Sequence, residues 1–280
     1  MTRVRVPASS ANLGPGFDAL GMALDLHAEL GVAVDGGDLP DRARVVDERH
    51  PAGVAFRRGG GRGDLWVHSP IPSGRGLGFS GAMRVGGLVV AVAQQSGPDA
   101  VEATRPALFD LAVELEGHAD NVAASLYGGV VATAAGRVVR VPLGLDPAVL
   151  AWVPPYETVT RRSRGALAAT VSFHDAVFNV GRTALLVAAL AAGDVEALRW
   201  ATADRLHQDR RFASAASSHA ALADGLDAGA WCGWLSGSGP SVCLLCDPAD
   251  AAVIAAALPA DGRTEQLRIE PVGCTVVGST

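Results

Sequence analysis

The sequence predicts a mixed helix-and-strand protein, built as one large domain or two modest ones. Three observations carry this expectation. Short stretches of alternating polar and apolar residues, the mark of strands, are interleaved with apolar residues at helical spacing. The length, 280 residues, suits one large domain or two modest ones. The composition shifts near residues 135–150, from glycine-rich loops to alanine-rich helices. Hydrophobic residues make up 49% and charged residues 19%, enough for a sizeable core and too apolar for extended disorder. The formal net charge of −6 argues against a nucleic-acid surface as the main business, yet leaves room for a small phosphate pocket.

The elements follow in order. Residues 3–7 alternate and suit an opening strand. Residues 7–18 are dense in turn formers, with Ser9, Ser10, Asn12 and Asp18 set among Gly14, Pro15 and Gly16, which fits either a surface turn or a substrate loop. An apolar segment (19–26) leads into a second alternating strand (27–35). Residues 36–49 are polar and irregular, 51–58 read as a short helix, and 57–63 as a basic connector whose charges are most simply a solvated turn. Residues 65–69 are strand-like, and a small-and-apolar run (82–93) reads as a helix. Residues 106–116 carry Leu108, Leu111, Ala112 and Leu115 at helical spacing, with Pro106 in the first turn and Gly117 as the stop. A short helix starts near Val122, and 128–133 with 137–141 form a hairpin. Residues 149–153 are a strand, and 158–164 are polar with three arginines. A long helix spans 171–192, with Ser172 as cap and Gly193 as stop. Helices at 194–207 and 214–226, strands at 229–235 and 242–246, a helix at 250–258 and strand character over 266–277 complete the chain.

Between the strand at 65–69 and the helix at 82–93 lies Pro70-Ile-Pro-Ser-Gly-Arg-Gly-Leu-Gly-Phe-Ser-Gly-Ala82. Glycines let backbone N–H groups approach an anion, and a helix start adds free N–H groups and the positive end of a dipole. A polyphosphate is the natural guest. Ser80 is placed to offer its hydroxyl to a phosphate oxygen or a magnesium ion. The spacing matches neither the lysine-containing phosphate loop nor the dinucleotide fingerprint, and a glycine turn joining a strand to a core helix would look the same. A second cluster, Glu114-Leu-Glu-Gly-His-Ala-Asp-Asn121, gathers two carboxylates, a histidine, an aspartate and an asparagine within eight positions.

Other features are bland. Four cysteines make no disulfide framework, and Cys243-x-x-Cys246 sits in an apolar run that reads as buried strand. The first residues lead straight into a strand pattern rather than a signal peptide, and the longest apolar run, 184–192, is too short to span a bilayer. A reducing cytoplasm, without membrane or nucleic-acid partners, is the default expectation.

Three stretches, Val6 to Asp18, Ile71 to Gly81 and Ser236-Gly-Ser-Gly-Pro-Ser241, taken in that order resemble the three motifs of the GHMP small-molecule kinases. The first stretch, Glu116 to Val122, Asp175 to Arg182 and Asp204 to Gln208 resemble the branch of that family that phosphorylates L-homoserine. The resemblance spans almost the whole chain. It implies a two-domain α+β fold: an N-terminal ATP-binding domain (1–142) with a left-handed βαβ crossover, and a C-terminal ferredoxin-like domain (143–280). It also implies ATP and Mg²⁺ as cofactors, L-homoserine as acceptor, and a homodimer as a family-based expectation.

Roles carried over by position are these. Pro72, Gly74, Arg75, Gly76, Leu77, Gly78, Phe79, Ser80 and Gly81 hold the phosphates. Ser80 and Glu116 hold the metal, with Glu114 as the alternative acid; two positions apart on a helix, these acids cannot face the same way. Asp120 polarises or deprotonates the acceptor hydroxyl, and Asn121 and His118 contact substrate. Asp18, with Asn12 beside it, takes the ammonium of the zwitterion; Arg164 and Arg211 take its carboxylate. Without the resemblance, Asp18 reads as a cap, His118 as a satisfied loop histidine, and the arginines as surface residues. Arg161, Arg162 and Arg210 keep that surface reading.

The sequence also departs from the family pattern. Phe79 stands where a serine is usual and Gly81 where an alanine is, the region 36–66 is short, and His50 lies about where the family places an asparagine contact to adenine. Two rivals therefore stay open: a GHMP kinase for another small alcohol, and a non-catalytic amino-acid sensor.

Overall fold

The computed structural model describes residues 2–33, 37–157, 160–165 and 167–278. A seven-stranded antiparallel sheet is built around β1 (Arg3–Ala11) and β2 (Leu20–Val32). β11 (Thr275–Val277) covers the outer edge of β1. β4 (Leu65–His68) and β5 (Val130–Ala134) share the other edge of β2, β4 at its C-terminal end and β5 at its N-terminal end. β3 (Arg44–Val45) pairs with β4, and β6 (Arg137–Val141) forms the expected hairpin with β5.

Helix α1 (Pro51–Arg58) precedes β4. The crossover from β4 to β5 runs through α2 (Phe79–Ser96), α3 (Ala100–Glu116) and α4 (Asp120–Tyr127). It lays α2 across β1 and β2, in contact with α1, α3 and α4. Small residues make this possible: Ala82, Gly86, Gly87 and Ala91 of α2 are all buried. With α2 and α4 against it, β1 is buried from Val6 to Ala11.

The second sheet has the order β10-β7-β9-β8, from β7 (Ala148–Val153), β8 (Cys232–Leu235), β9 (Val242–Cys246) and β10 (Arg263–Arg268). Between β7 and β8 lie α5 (Thr160–Gly165), α6 (Phe173–Ala192), α7 (Val195–Ala201), α8 (Gln208–Phe212) and α9 (Ala216–Asp227); α10 (Ala251–Ala257) joins β9 to β10. Numbering these strands by sequence gives βαββαβ with order 4-1-3-2, the ferredoxin-like arrangement. β9 reads as a continuous apolar run because every one of its residues is buried. Cys243 and Cys246 are therefore core residues. All four cysteines are free, and burial pushes the Cys232 and Cys274 thiols up to about 12. One core runs without a break from Val4 and Val6 to Cys243 and Leu245, and a smaller one around Trp152 and Ile254 lies beside it.

Most elements fall where the pattern puts them. Ser172 Oγ accepts from the Asp175 N–H at 3.1 Å and caps α6, and Gly193 ends that helix at φ 73°. Four differences have physical causes. α3 begins at Ala100, so Pro106 lies inside it and not in its first turn. The added turns are anchored by buried Val101 and by Arg105, which donates to the Cys274 carbonyl at 3.1 Å. The apolar segment from residue 20 is the first half of β2, and Asp35 lies outside the described residues. The helix expected over 194–207 stops at Ala201, because the Asp204 carboxylate gathers the N–H groups of Leu206, His207 and Gln208 at 3.0, 2.9 and 2.7 Å and starts α8 instead. The strand expected over 266–277 divides between the two sheets. Residues 143–280 are thus not one unit: β11 returns to the first sheet.

α6 spans 20 residues with a mean hydropathy of 1.4, so by length and composition it is long enough to cross a membrane, unlike the 184–192 run alone. Its Asn179, Leu186, Ala189 and Leu190 side is buried in the fold.

Asp204 accepts a fourth bond from Asn179 Nδ2 at 2.7 Å. Burial opposes its ionisation, but these hydrogen bonds hold its carboxyl below the usual range. Asp204→Ala strands several buried donors, and a loss of about 3 kcal/mol is expected in urea unfolding at pH 7. A loss under about 1 kcal/mol would remove Asp204 from this role.

Candidate active site

The glycine loop is fixed by contacts from both halves of the chain. Gly78, left-handed at φ 69°, caps α2 without a side-chain bond, so the first N–H groups of the helix have no partner within the helix or from the cap side chain. A Cβ on Gly76 would lie 2.3 Å from the Ser236 carbonyl oxygen, so only glycine allows the two loops to touch. Ser236 Oγ donates to the Gly76 carbonyl at 2.6 Å and accepts from Ser10 Oγ at 2.8 Å. Arg75 donates to the carbonyls of Pro155 and Tyr156 at 2.8 and 2.9 Å.

Beside this seam lies a cavity of about 420 Å³. It brings together Asn12, Asp18, Pro72, Gly74, Arg75, Gly76, Gly78, Phe79, Ser80, Glu116, His118, Asp120, Asn121, Arg164 and Arg211. Of the other residues singled out from sequence, Leu77 and Gly81 are buried and outside the lining. Glu114 is elsewhere: it is exposed and pairs with Arg58 at 3.3 Å. α3 turns Glu114 away from the cleft, so of the two candidate acids only Glu116 lines it.

Ser80 Oγ donates to Glu116 Oε2 at 2.8 Å, and the same oxygen is ion-paired with Arg84. His118 Nδ1 stands 4.0 Å from Glu116 Oε1. Among the described residues no three His, Cys, Asp or Glu side chains form a metal cluster. A hydroxyl and a carboxylate side by side at a helix start are hard oxygen donors, which fits Mg²⁺ completed by phosphate and water.

Asp120 opens α4 and is 3% exposed. Burial, with Asp18 adding to it, raises its carboxyl to about 6, against the pull of the Asn121 N–H at 2.7 Å and of His118 and Arg164. Asn121 is oriented by Ser9, whose hydroxyl donates to Asn121 Oδ1 at 2.9 Å.

At the other end of the cleft, Asp18 accepts two bonds from Arg164, at 2.8 and 2.6 Å. The two charges expected to grip opposite ends of a zwitterion thus hold each other here. Asn12 Oδ1 accepts from the Asp18 N–H at 3.1 Å, and its Nδ2 donates to the Gly237 carbonyl at 3.0 Å. Arg211 is no surface arginine but is 5% exposed. Burial, then Arg164, lowers its guanidinium to about 10, so it stays charged at neutral pH. Its Nη1 donates to the Gly237 carbonyl at 2.9 Å and meets His207 Nδ1 at 3.0 Å. His207 Nε2 lies 2.8 Å from the Gly14 carbonyl, an acceptor. The ring is therefore the neutral Nε2–H tautomer, in keeping with burial lowering its pKa. Arg211 Nε is buried and has no partner among the described residues.

Phe17, Arg44 and Pro51 were not foreseen, whereas His50 is singled out in the sequence near the adenine region. Phe17 sits beneath both arginines, 5.2 Å from Arg164 and 5.3 Å from Arg211. Arg44, His50 and Pro51 line the far side, where the edge of His50 meets Phe79 at 5.9 Å. His50 also caps α1 by accepting from the Ala52 N–H at 3.2 Å. Arg210 is exposed as expected, and the side chains of Arg161 and Arg162 lie outside the described residues.

Residues 44–129 match the GHMP kinases N terminal domain and residues 186–264 the GHMP kinases C terminal domain. Fold and site define an ATP-dependent small-molecule kinase. A homoserine kinase of Moorella thermoacetica is 40% identical over 88% of each chain, and one of Thermus thermophilus is 37% identical over 96% of each. The crystal structure of homoserine kinase from Cytophaga hutchinsonii superposes with a TM-score of 0.83 at 26% identity, covering 99% of this chain and 97% of that one. The chain belongs to the homoserine kinase family. A mevalonate kinase structure at 13% identity and a TM-score of 0.68 shares the fold alone.

The raised Asp120 carboxyl has a stability consequence. With a folded value near 6 against an ordinary 3.8, the fold favours the protonated form. Ionisation therefore destabilises the folded protein as pH rises through that window, by about 3 kcal/mol once complete. Asp120→Asn should be more stable than the unsubstituted protein at pH 8, with the difference shrinking toward pH 4 in urea unfolding. No gain at pH 8 would contradict the assigned burial effect.

Proposed function

We propose that the protein transfers the γ-phosphoryl group of ATP to the side-chain hydroxyl of L-homoserine, giving O-phospho-L-homoserine for threonine synthesis. The observation that carries this reading is one cleft lined both by the glycine loop (Gly74, Gly76, Gly78 and Ser80) and by Asp18, Asp120, Arg164 and Arg211.

Phosphoryl transfer needs positioning and charge neutralisation more than covalent help. The N–H groups from Gly76 to Ser80 receive the phosphates. Ser80 and Glu116 would hold Mg²⁺, which when bound neutralises phosphate oxygens. Asp120, ionised above about pH 6, accepts or polarises the homoserine hydroxyl proton, and Asn121 orients that hydroxyl. Homoserine enters an existing ion pair: its ammonium goes to Asp18 and its carboxylate to Arg164 and Arg211, so one ion pair is exchanged for two. Phe17 supplies the apolar face between them. His118 supports the acceptor side. Assembly as a homodimer belongs to the same reading, supported by the exposed apolar residues Phe173, Val177 and Val180 on α6.

Purified protein with Mg-ATP is expected to release ADP with L-homoserine and not with mevalonate, which lacks the ammonium; L-serine and L-threonine set the length discrimination. Tight homoserine binding without ADP release would make the protein a sensor. Arg211→Ala is expected to raise the homoserine KM by about tenfold to a hundredfold, with a smaller change in kcat. An unchanged KM in a folded variant would overturn the carboxylate clamp.

A further inference from the structure

Glu116 carries an unusual load for a lone metal-site acid. Its side chain is 8% exposed, and its Oε2 takes both the Ser80 hydroxyl, at 2.8 Å, and the Arg84 guanidinium. Ser80 and Arg84 are four residues apart on α2, so they share a face and approach the end of α3 together. Arg84 Nη1 makes the ion pair with Glu116, and Arg84 Nε is buried without a partner among the described residues. Arg84 is outside the cavity lining, and its ion pair among the described residues is with Glu116. The neighbouring acid, Glu114, is turned away onto Arg58, and no three-ligand cluster exists among the described residues.

The electrostatic result is a hydroxyl–carboxylate pair whose net charge is cancelled from behind. A divalent ion meeting Ser80 and Glu116 alone gains a carboxylate but faces a nearby guanidinium, and the two nearly offset. Nucleotide phosphates restore the missing negative charge. We propose that Arg84 is a positioning residue that holds Glu116 toward Ser80 and, by neutralising it, makes divalent-cation binding depend on bound nucleotide. This rests on the reading of Ser80 and Glu116 as the metal residues. In the nucleotide-free protein Glu116 stays ordered by Arg84, so no free cation is needed to shape the site.

Mn²⁺ binding to nucleotide-free protein, read by the loss of the free-ion EPR signal, tests this directly. The unsubstituted protein is expected to bind Mn²⁺ only in about the millimolar range. Arg84→Gln keeps a hydrogen-bond donor and loses the charge; it is expected to bind Mn²⁺ at least about tenfold more tightly, and Mn²⁺ should raise its Tm more than that of the parent. Arg84→Lys keeps the charge and should stay within about threefold of the parent. Unchanged or weaker Mn²⁺ binding in Arg84→Gln, an equal gain in Arg84→Lys, or a micromolar site in the unsubstituted nucleotide-free protein would each overturn the role of Arg84. Glu116→Gln separates the two readings: if it weakens Mn²⁺ binding with nucleotide present, the metal residues stand whatever Arg84 does. If it changes nothing, the metal assignment itself falls.

Discussion

The contact on which the rest depends is the seam between two glycine loops. Gly76 and the Ser236–Gly239 turn approach so closely that a single methyl group would part them. Ser236 fastens the seam by bonding the Gly76 carbonyl and Ser10, and Trp234 Nε1 adds a bond to Ser10 Oγ at 2.9 Å. This joins the first sheet, the second sheet and the phosphate loop at one point. The cleft exists because its two walls come from different sheets and are locked here. The N–H groups of the loop are thereby arranged before any ligand arrives, which is what stabilising a polyphosphate requires.

Around that seam, each charge of the site is held by an opposite one or by a fixed dipole. Asp204 sits at the hub: it bonds Asn179, whose Nδ2 also reaches the Pro15 carbonyl at 3.2 Å, and it starts the helix that carries Arg211. His207 bridges Arg211 to the Gly14 carbonyl. The loop from Asn12 to Asp18, strained through left-handed Asn12, Leu13 and Asp18, is thus tied down from α6 and α8. Asp120 keeps a carboxyl pushed upward by burial, and the proposed reading puts it beside the reacting hydroxyl.

Much of this was legible in the sequence where chemistry and local pattern coincide. The glycine loop and the Glu114 to Asn121 cluster announce themselves by residue type at short spacing, and the pairing of Ser80 with Glu116 or Glu114 comes from the family resemblance. Strands and helices with strong alternation or caps, such as α6 with Ser172, also stand out. What was not legible depends on distant contacts. Arg84 looks like one charge in an apolar helix until α3 brings Glu116 to it. β11 carries no local sign of which sheet it joins. The break at Ala201 follows from a carboxylate whose hydrogen bonds form only after the chain has turned. Asp18 and Arg164 were each assigned to a ligand end, but their mutual pairing across 146 positions is a tertiary fact.

The most direct measurement is a crystal structure with a non-hydrolysable ATP analogue and L-homoserine. The expected density places the terminal phosphates on the N–H groups of Gly76 to Ser80, within reach of the Ser80 hydroxyl. It also places the amino acid between Asp18 and Arg211, with its hydroxyl beside Asp120. Polyphosphate bound away from the glycine loop, or the amino acid outside the Asp18–Arg211 gap, would contradict the shared cleft as the place of phosphoryl transfer.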